Sequence, residues 1–262
     1  MVMPATPIPP ILKLLAHDVR WELVAQLSRS DRRVGELVAL TERPQNLVSY
    51  HLGRLRAGGL VVEHRSSADA RDVYYNLELA RLDALLRACG GAVHPSLASV
   101  ATSGASELSA RPRRVLFLCT HNSARSQMAE AFMRQVAGGR VIAASAGSEV
   151  SRVHPLAVDV MAERGVDISR QRSKLLDLLV AQFWDVVVTV CDRVREVCPP
   201  LPPETRAIHW SVPDPAAVTG TPDERRAAFR AAADEIAVRV RFLGDDLGVT
   251  GDKWQDGARW ER

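Results

Sequence analysis

A helical N-terminal domain with a small β-wing, followed by an α/β domain built on a parallel sheet, is the architecture this sequence predicts. Three observations carry it. Residues 11–90 alternate helix-period patterns with one short strand pair. Residues 91–112, GAVHPSLASVATSGASELSARP, have the Ala, Ser, Gly and Pro composition of a linker. Residues 113–243 alternate strand and helix, which implies parallel strands covered by helices on both faces. A proline-rich stretch, 1–10, reads as a flexible tail, and 244–262 as a polar tail without a clear period.

The 262 residues suit two modest domains, and an apolar fraction of 47% is enough for a real core. A net charge of +3 does not by itself argue for nucleic acid. No apolar run is long enough to span a bilayer, and the opening MVMPATPIPPILKLLAHDVR lacks a basic leader pattern. The expectation is a soluble cytoplasmic protein that does not engage membranes. In that compartment Cys89, Cys119, Cys191 and Cys198 are expected as catalytic, metal-binding or core residues rather than as a disulfide framework.

In the first domain, Leu14, Leu15, Trp21, Val24 and Leu27 have helical spacing over Ile11–Leu27. A short helix, Val34 to Leu40, leads through a turn at Glu42-Arg43 to a second helix. Pro44 fits its first turn, and Gly58-Gly59 stops it after Ala57. Strands Leu60–His64 and Val73–Leu77 flank a polar tip, RSSADARD, and a last helix covers Arg81–Cys89. Helix-turn-helix plus wing is a geometry that docks on DNA.

The segments VSYHLGRLRAGGLV and DVYYNL resemble the ArsR-type winged-helix repressors over roughly residues 11–90. The resemblance implies a winged helix-turn-helix that binds double-stranded operator DNA as a homodimer, through its first and last helices. It places Gln45, Asn46, Ser49 and Tyr50 toward the major groove and Leu47, Leu52 and Leu55 toward the core. Arg54, Arg65 and Arg71 are placed to reach phosphates. A winged helix can also serve as a dimerisation module alone. One departure matters. Relatives that sense arsenite often carry Cys-Val-Cys where Arg33, Val34 and Gly35 stand here, so the usual thiol sensor is absent.

In the second domain, VLFLCTHNSARSQMAEAF places a cysteine at the end of an apolar strand and an arginine six residues on, where a helix begins. Such a loop aims backbone N–H groups at one point, which makes an anion site and favours a thiolate at Cys119. Thr120, His121, Asn122, Ser123, Ala124 and Arg125 would wrap the oxyanion, with the Arg125 guanidinium supplying a planar fork and Ser126 donating to the thiolate. The stretch resembles the low-molecular-weight tyrosine phosphatases and the arsenate reductases built on the same fold. That resemblance makes Asp214, in SVPDPAAV, the general acid, although a bare Asp-Pro is commonly a turn.

Cys191 and Cys198, in VVVTVCDRVREVCPPLPP, together with His209-Trp210, match the thioredoxin-linked arsenate reductases over about 113–243. A phosphatase needs one cysteine, whereas reduction of arsenate needs two electrons. The resemblance implies attack of Cys119 on arsenic, protonation of the departing oxygen by Asp214, and a relay through Cys191 and Cys198 to thioredoxin. No bound cofactor or metal is expected. If 191–198 is helical when reduced, the rise between the two cysteines is roughly 10.5 Å. A disulfide needs Cα atoms within about 7 Å, so that helix must unwind on oxidation. One branch of the family holds potassium with Asn, Glu, Ser and Asp. Asn122, Glu130 and Ser145 match three of these positions, and Lys174, read as lying on a helix over 173–181, stands at the fourth. Its ammonium is expected to stand where the ion would be. The alternative enzyme is a protein tyrosine phosphatase with a DNA-binding or dimerisation domain. A further alternative is a DNA-binding regulator whose second domain only senses oxyanion or redox state.

Overall fold

The computed structural model describes residues 8–94, 97, 111–149 and 151–250. The chain divides between Ala101 and Thr102 into two compact units, each with its own core. Most of the expected 1–10 tail, most of the expected linker and residues 251–262 lie outside the described residues. No described helix is long and apolar enough to cross a membrane.

The first unit opens with α1 (Pro10–Leu15) and α2 (Asp18–Leu27), where one continuous helix was expected. The break is at Ala16-His17. His17 Nδ1 accepts from Val19 N (3.2 Å), so the helix restarts with a new phase. Val19, Leu23 and Leu27 therefore point inward at i, i+4 and i+8. Trp21, expected on the apolar face, is 61% exposed.

A two-residue strand, β1 (Arg32–Arg33), was not foreseen and leads into α3 (Val34–Thr41). Glu42 then adopts a left-handed φ of 52°, which turns the chain into α4 (Gln45–Ala57) with Pro44 as its N-cap. The wing is β2 (Val61–Arg65) antiparallel to β3 (Val73–Leu77), with β1 on the other edge of β3. A longer helix than expected, α5 (Leu79–Val93), runs through Gly90-Gly91 into the presumed linker. Neither glycine adopts positive φ, and a helical glycine costs only about 1 kcal/mol, so the pair does not stop it.

The second unit is a four-stranded parallel sheet, ordered β5-β4-β6-β7. Its strands are β4 (Arg113–Cys119), β5 (Val141–Gly147), β6 (Val186–Thr189) and β7 (Arg206–His209). Among the described residues of this unit the α-helices are α6 (Arg125–Ala137), α7 (Pro155–Ala162), α8 (Asp177–Val180), α9 (Asp192–Val197) and α10 (Pro222–Asp246). Central β4 is fully buried from Val115 to Cys119, which is why it reads as an unbroken apolar run. Two boundaries differ from expectation. Residues 171–174 lie outside any helix, so Lys174 precedes α8 rather than sitting within it. At the other end, α10 continues to Asp246, and Val249 is buried, so the expected tail from 244 is in part core.

The register brings the chemistry to one edge. Cys119 pairs with Gly147, Leu118 with Thr189, and Thr189 with His209. All four strands therefore end together, and in open parallel sheets ligands gather at that carboxyl edge.

Candidate active site and nucleic-acid interface

Cys119 ends β4 and is buried. The loop that follows is braced from behind. A Cβ on Gly147 would lie 2.5 Å from the Thr120 carbonyl oxygen and 2.8 Å from Asn122 N, so only glycine lets β5 approach this closely. Asn122 has φ 46°, a left-handed conformation that asparagine tolerates. Its amide is fully used. Nδ2 donates to Ser126 Oγ and to Ser145 Oγ (2.8 Å each), while Oδ1 accepts from Gln127 Nε2 (2.9 Å) and Lys174 N (2.8 Å). Ser173 Oγ donates to the Asn122 carbonyl (2.7 Å). The brace from Gly147 and Ser173 carried no sequence signal, because it joins segments far apart in the chain, whereas Gln127 lies only five residues from Asn122.

Ser126 Oγ lies 2.8 Å from Cys119 Sγ. Since Asn122 already donates to that oxygen, the serine hydroxyl proton is left to point at sulfur. Helix α6 begins at Arg125 with Ala124 as N-cap and no side-chain cap, so the N–H groups of its first turn face the loop. Arg125 is itself buried. One terminal nitrogen donates to the Val212 carbonyl (2.9 Å), and the other pairs with Asp214 Oδ2 (3.0 Å). Asp214 Oδ1 accepts from Ala216 N (3.1 Å), which fixes the carboxylate at the start of a 3-10 turn, Pro215–Ala217. The loop's rim carries Ser123, part-buried, and His121, whose Nδ1 is 3.2 Å from Glu149 Oε2.

Cys191 is the N-cap of α9, and Cys198 follows its last residue. All four cysteines are free thiols. Thr120 Oγ1 is 3.3 Å from Cys191 Sγ, so one residue links the first cysteine loop to the second. Burial pushes the Cys191 thiol above its ordinary range, and nearby Cys119 adds to this while Arg125 opposes it. Burial also raises Cys198. The helix covers only Asp192–Val197, with both cysteines as extended caps, where the sequence suggested a helix over 191–198.

The four residues of the cation cluster come together. Ser145 Oγ donates to Glu130 Oε2, and Lys174 Nζ lies 3.2 Å from the same oxygen. Arg134, unforeseen, pairs with Glu130 from the next turn of α6. Among the described residues no group of three or more His, Cys, Asp or Glu is placed to hold a metal.

In the first unit, α4 exposes Gln45, Asn46, Ser49, Tyr50 and Arg54, and buries Val48, Leu52 and Leu55. Leu47 is part-buried, and His51 is an unforeseen buried residue in contact with the His17 ring. Arg65 is exposed and donates to the Ala70 carbonyl (2.9 Å). Arg71 is exposed but engaged with Asp69, whose carboxyl it holds down at about 2. Arg71 thus brings less net charge to the wing tip than sequence implies.

Two family models match the chain: "Bacterial regulatory protein, arsR family" over residues 17–62, and "Low molecular weight phosphotyrosine protein phosphatase" over 114–249. An arsenate reductase of Halalkalibacterium halodurans is 43% identical over 131 residues, 50% of this chain and 94% of that protein. An arsenate reductase of Bacillus subtilis is 42% identical with the same coverage. A crystal structure of arsenate reductase from Archaeoglobus fulgidus is 32% identical, covering 51% of this chain and 98% of that one, with a TM-score of 0.42. The relatives thus correspond to the second unit and leave the first to the arsR match. With its model spanning just over half of the residues, the chain belongs to the low molecular weight phosphotyrosine protein phosphatase family.

Proposed function

We propose that the second unit reduces arsenate to arsenite and that the first binds operator DNA, both in the cytoplasm. The observation that carries the enzymatic reading is the link between Cys119 and Cys191 through Thr120, with Cys198 one short helix away. A hydrolytic phosphatase has no use for the second and third thiols. Arsenate binds in the loop 119–125, held by backbone N–H groups and Arg125. The Cys119 thiolate forms a bond to arsenic while Asp214 protonates the departing oxygen. Cys191 then attacks Cys119 Sγ. The sulfur–arsenic bond breaks, its electron pair stays with arsenic, and arsenite leaves. Cys198 attacks Cys191 and frees Cys119, and a dithiol reductant of the thioredoxin type reduces the Cys191–Cys198 disulfide. The test is NADPH consumption with thioredoxin, thioredoxin reductase and arsenate, run beside an aryl-phosphate assay. Turnover of the ester alone would return the chain to the phosphatase reading.

The cation cluster does not suit potassium, because the Lys174 ammonium already faces Glu130. Exchanging sodium for potassium at fixed ionic strength should leave rate and melting temperature nearly unchanged. Lys174→Asp should create a potassium response, and a strong response in the unmutated protein would sink this assignment.

The first unit is proposed to act as a homodimer on a palindromic site, with α4 in the major groove. Ile8, Leu12, Leu86 and Val93, near its first and last helices, expose apolar surface suited to a second copy. Gln45→Ala or Tyr50→Ala should cost specific binding about 1–3 kcal/mol and leave non-specific binding nearly intact, read by gel shift against a scrambled site. Affinity should fall steeply with salt. Arsenite should not release the DNA, since Arg33 and Gly35 offer no thiols and Cys89 is a single, half-buried one. Release by low micromolar arsenite that is lost in Cys89→Ser would reverse that expectation.

A further inference from the structure

Directly behind Cys191 runs a buried polar chain that the steps above do not use. Thr189 Oγ1, at the end of β6, lies 2.8 Å from His209 Nδ1. His209 Nε2 lies 3.1 Å from Asp192 Oδ1, and Ser211 Oγ donates to the same oxygen. Asp192, His209 and Ser211 are 4%, 3% and 1% exposed. A carboxylate so deeply buried is costly unless its oxygens are hydrogen-bonded, so this arrangement is built rather than incidental. A carboxylate only accepts, so His209 Nε2 carries a hydrogen toward it.

The position matters more than the burial. Asp192 is the first residue of α9, and Cys191 is its N-cap. His209 ends β7, and Thr189 ends β6. The chain of bonds therefore ties the first turn of α9 to the buried ends of two adjacent strands, β6 and β7. The far end of α9 differs. Val197 is 60% exposed, Cys198 is half-buried, and the next residues pass through four prolines at 199, 200, 202 and 203 without helix or strand.

We propose that Asp192 and His209 are a positioning pair that anchors Cys191 beside the Cys119 loop, so that α9 unwinds from its Cys198 end. This rests on the reductase reading. Both sulfur–sulfur bonds of that cycle are made at Cys191. In the first, Cys191 attacks Cys119 Sγ of the arsenic(V) adduct, the sulfur–arsenic electron pair reduces arsenic, and the Cys191 proton ends on arsenite. In the second, Cys198 attacks Cys191 Sγ, Cys119 leaves as a thiolate, and the Cys198 proton goes to solvent. The sulfur common to both steps has to stay in place while its partner changes, and the fixed end of α9 supplies that.

The experiment uses the full chain with Cys198→Ser, in which one arsenate turnover stops at the Cys119–Cys191 disulfide. Its rate of formation is followed by mass spectrometry of unreduced peptides. Adding Asp192→Asn or His209→Ala should slow it about tenfold or more, as expected for losing a charge-assisted hydrogen bond that positions the helix carrying the reacting cysteine. Alkylation of Cys119 by iodoacetamide, and its protection by inorganic phosphate, should keep their parent values. His209→Gln, whose amide can bridge Thr189 and Asp192, should recover most of the rate. Trapping at the parent rate in Asp192→Asn and His209→Ala overturns the proposal. So does a parallel loss of alkylation and phosphate protection, or a glutamine no better than alanine. If the parent with Asp192 and His209 intact forms no Cys119–Cys191 disulfide, the reductase reading itself falls, and the anchor with it.

Discussion

Cys119→Ser should abolish arsenate turnover altogether, whereas Cys198→Ser should release one arsenite per chain and then stop. The two losses have different chemical causes. A serine hydroxyl at position 119 keeps the contact with Ser126 but supplies neither a soft anionic nucleophile nor a sulfur that can be oxidised. No later step can then begin. With Cys198 replaced, arsenic is still reduced, because both electrons come from the thiols of Cys119 and Cys191. The enzyme is left as a Cys119–Cys191 disulfide, buried at the sheet edge with nothing to resolve it. Cys191→Ser falls between them, forming the adduct but releasing no arsenite. Quenched-flow counting of arsenite per chain sets Cys198→Ser apart from the other two, and turnover of an aryl phosphate, which needs Cys119 but not Cys191, separates Cys191→Ser from Cys119→Ser. Continuous turnover by Cys198→Ser at the unmutated rate with thioredoxin would show that the relay is unnecessary.

What could be read from sequence was what lies close together in the chain. The loop 119–125 is contiguous, its strand is an unbroken buried run, and its helix starts at the arginine, so one short window holds nucleophile and fork together. The wing strands and α4 were legible for the same reason, being bounded by Gly58-Gly59 and by a polar tip. Failures came where a side chain reset the pattern. His17 capping α2 changed the helical phase, which moved Trp21 from an expected inner face to solvent. Long-range contacts were illegible in another way. Asp192 meets His209 and Ser211 only because β6 and β7 run side by side in register, and no local spacing announces it. Lys174 reached Glu130 although it lies ahead of the helix to which it was assigned, since the backbone at Lys174 is held by Asn122 and by a strand-like contact of Leu175 with Gly147.

Arg125→Lys should lower kcat/KM for arsenate by about 10²–10³ without unfolding the domain, the scale expected when an oxyanion donor is removed. Charge is retained, so the loss measures geometry. The guanidinium holds the Val212 carbonyl at 2.9 Å and Asp214 at 3.0 Å from one plane, and a bound oxyanion would be its third partner. An ammonium is a point donor and cannot meet all three. Two functions therefore fail together, anion binding and the placement of the general acid. Asp214→Asn removes only the proton donor, and it leaves an amide that can still contact Arg125. If Arg125 sets the position of Asp214, the double variant Arg125→Lys/Asp214→Asn should lose much less than the sum of the single losses, because the lysine has already displaced the acid. Losses that add would mean that Asp214 is held by its Ala216 contact alone and that Arg125 serves only the anion.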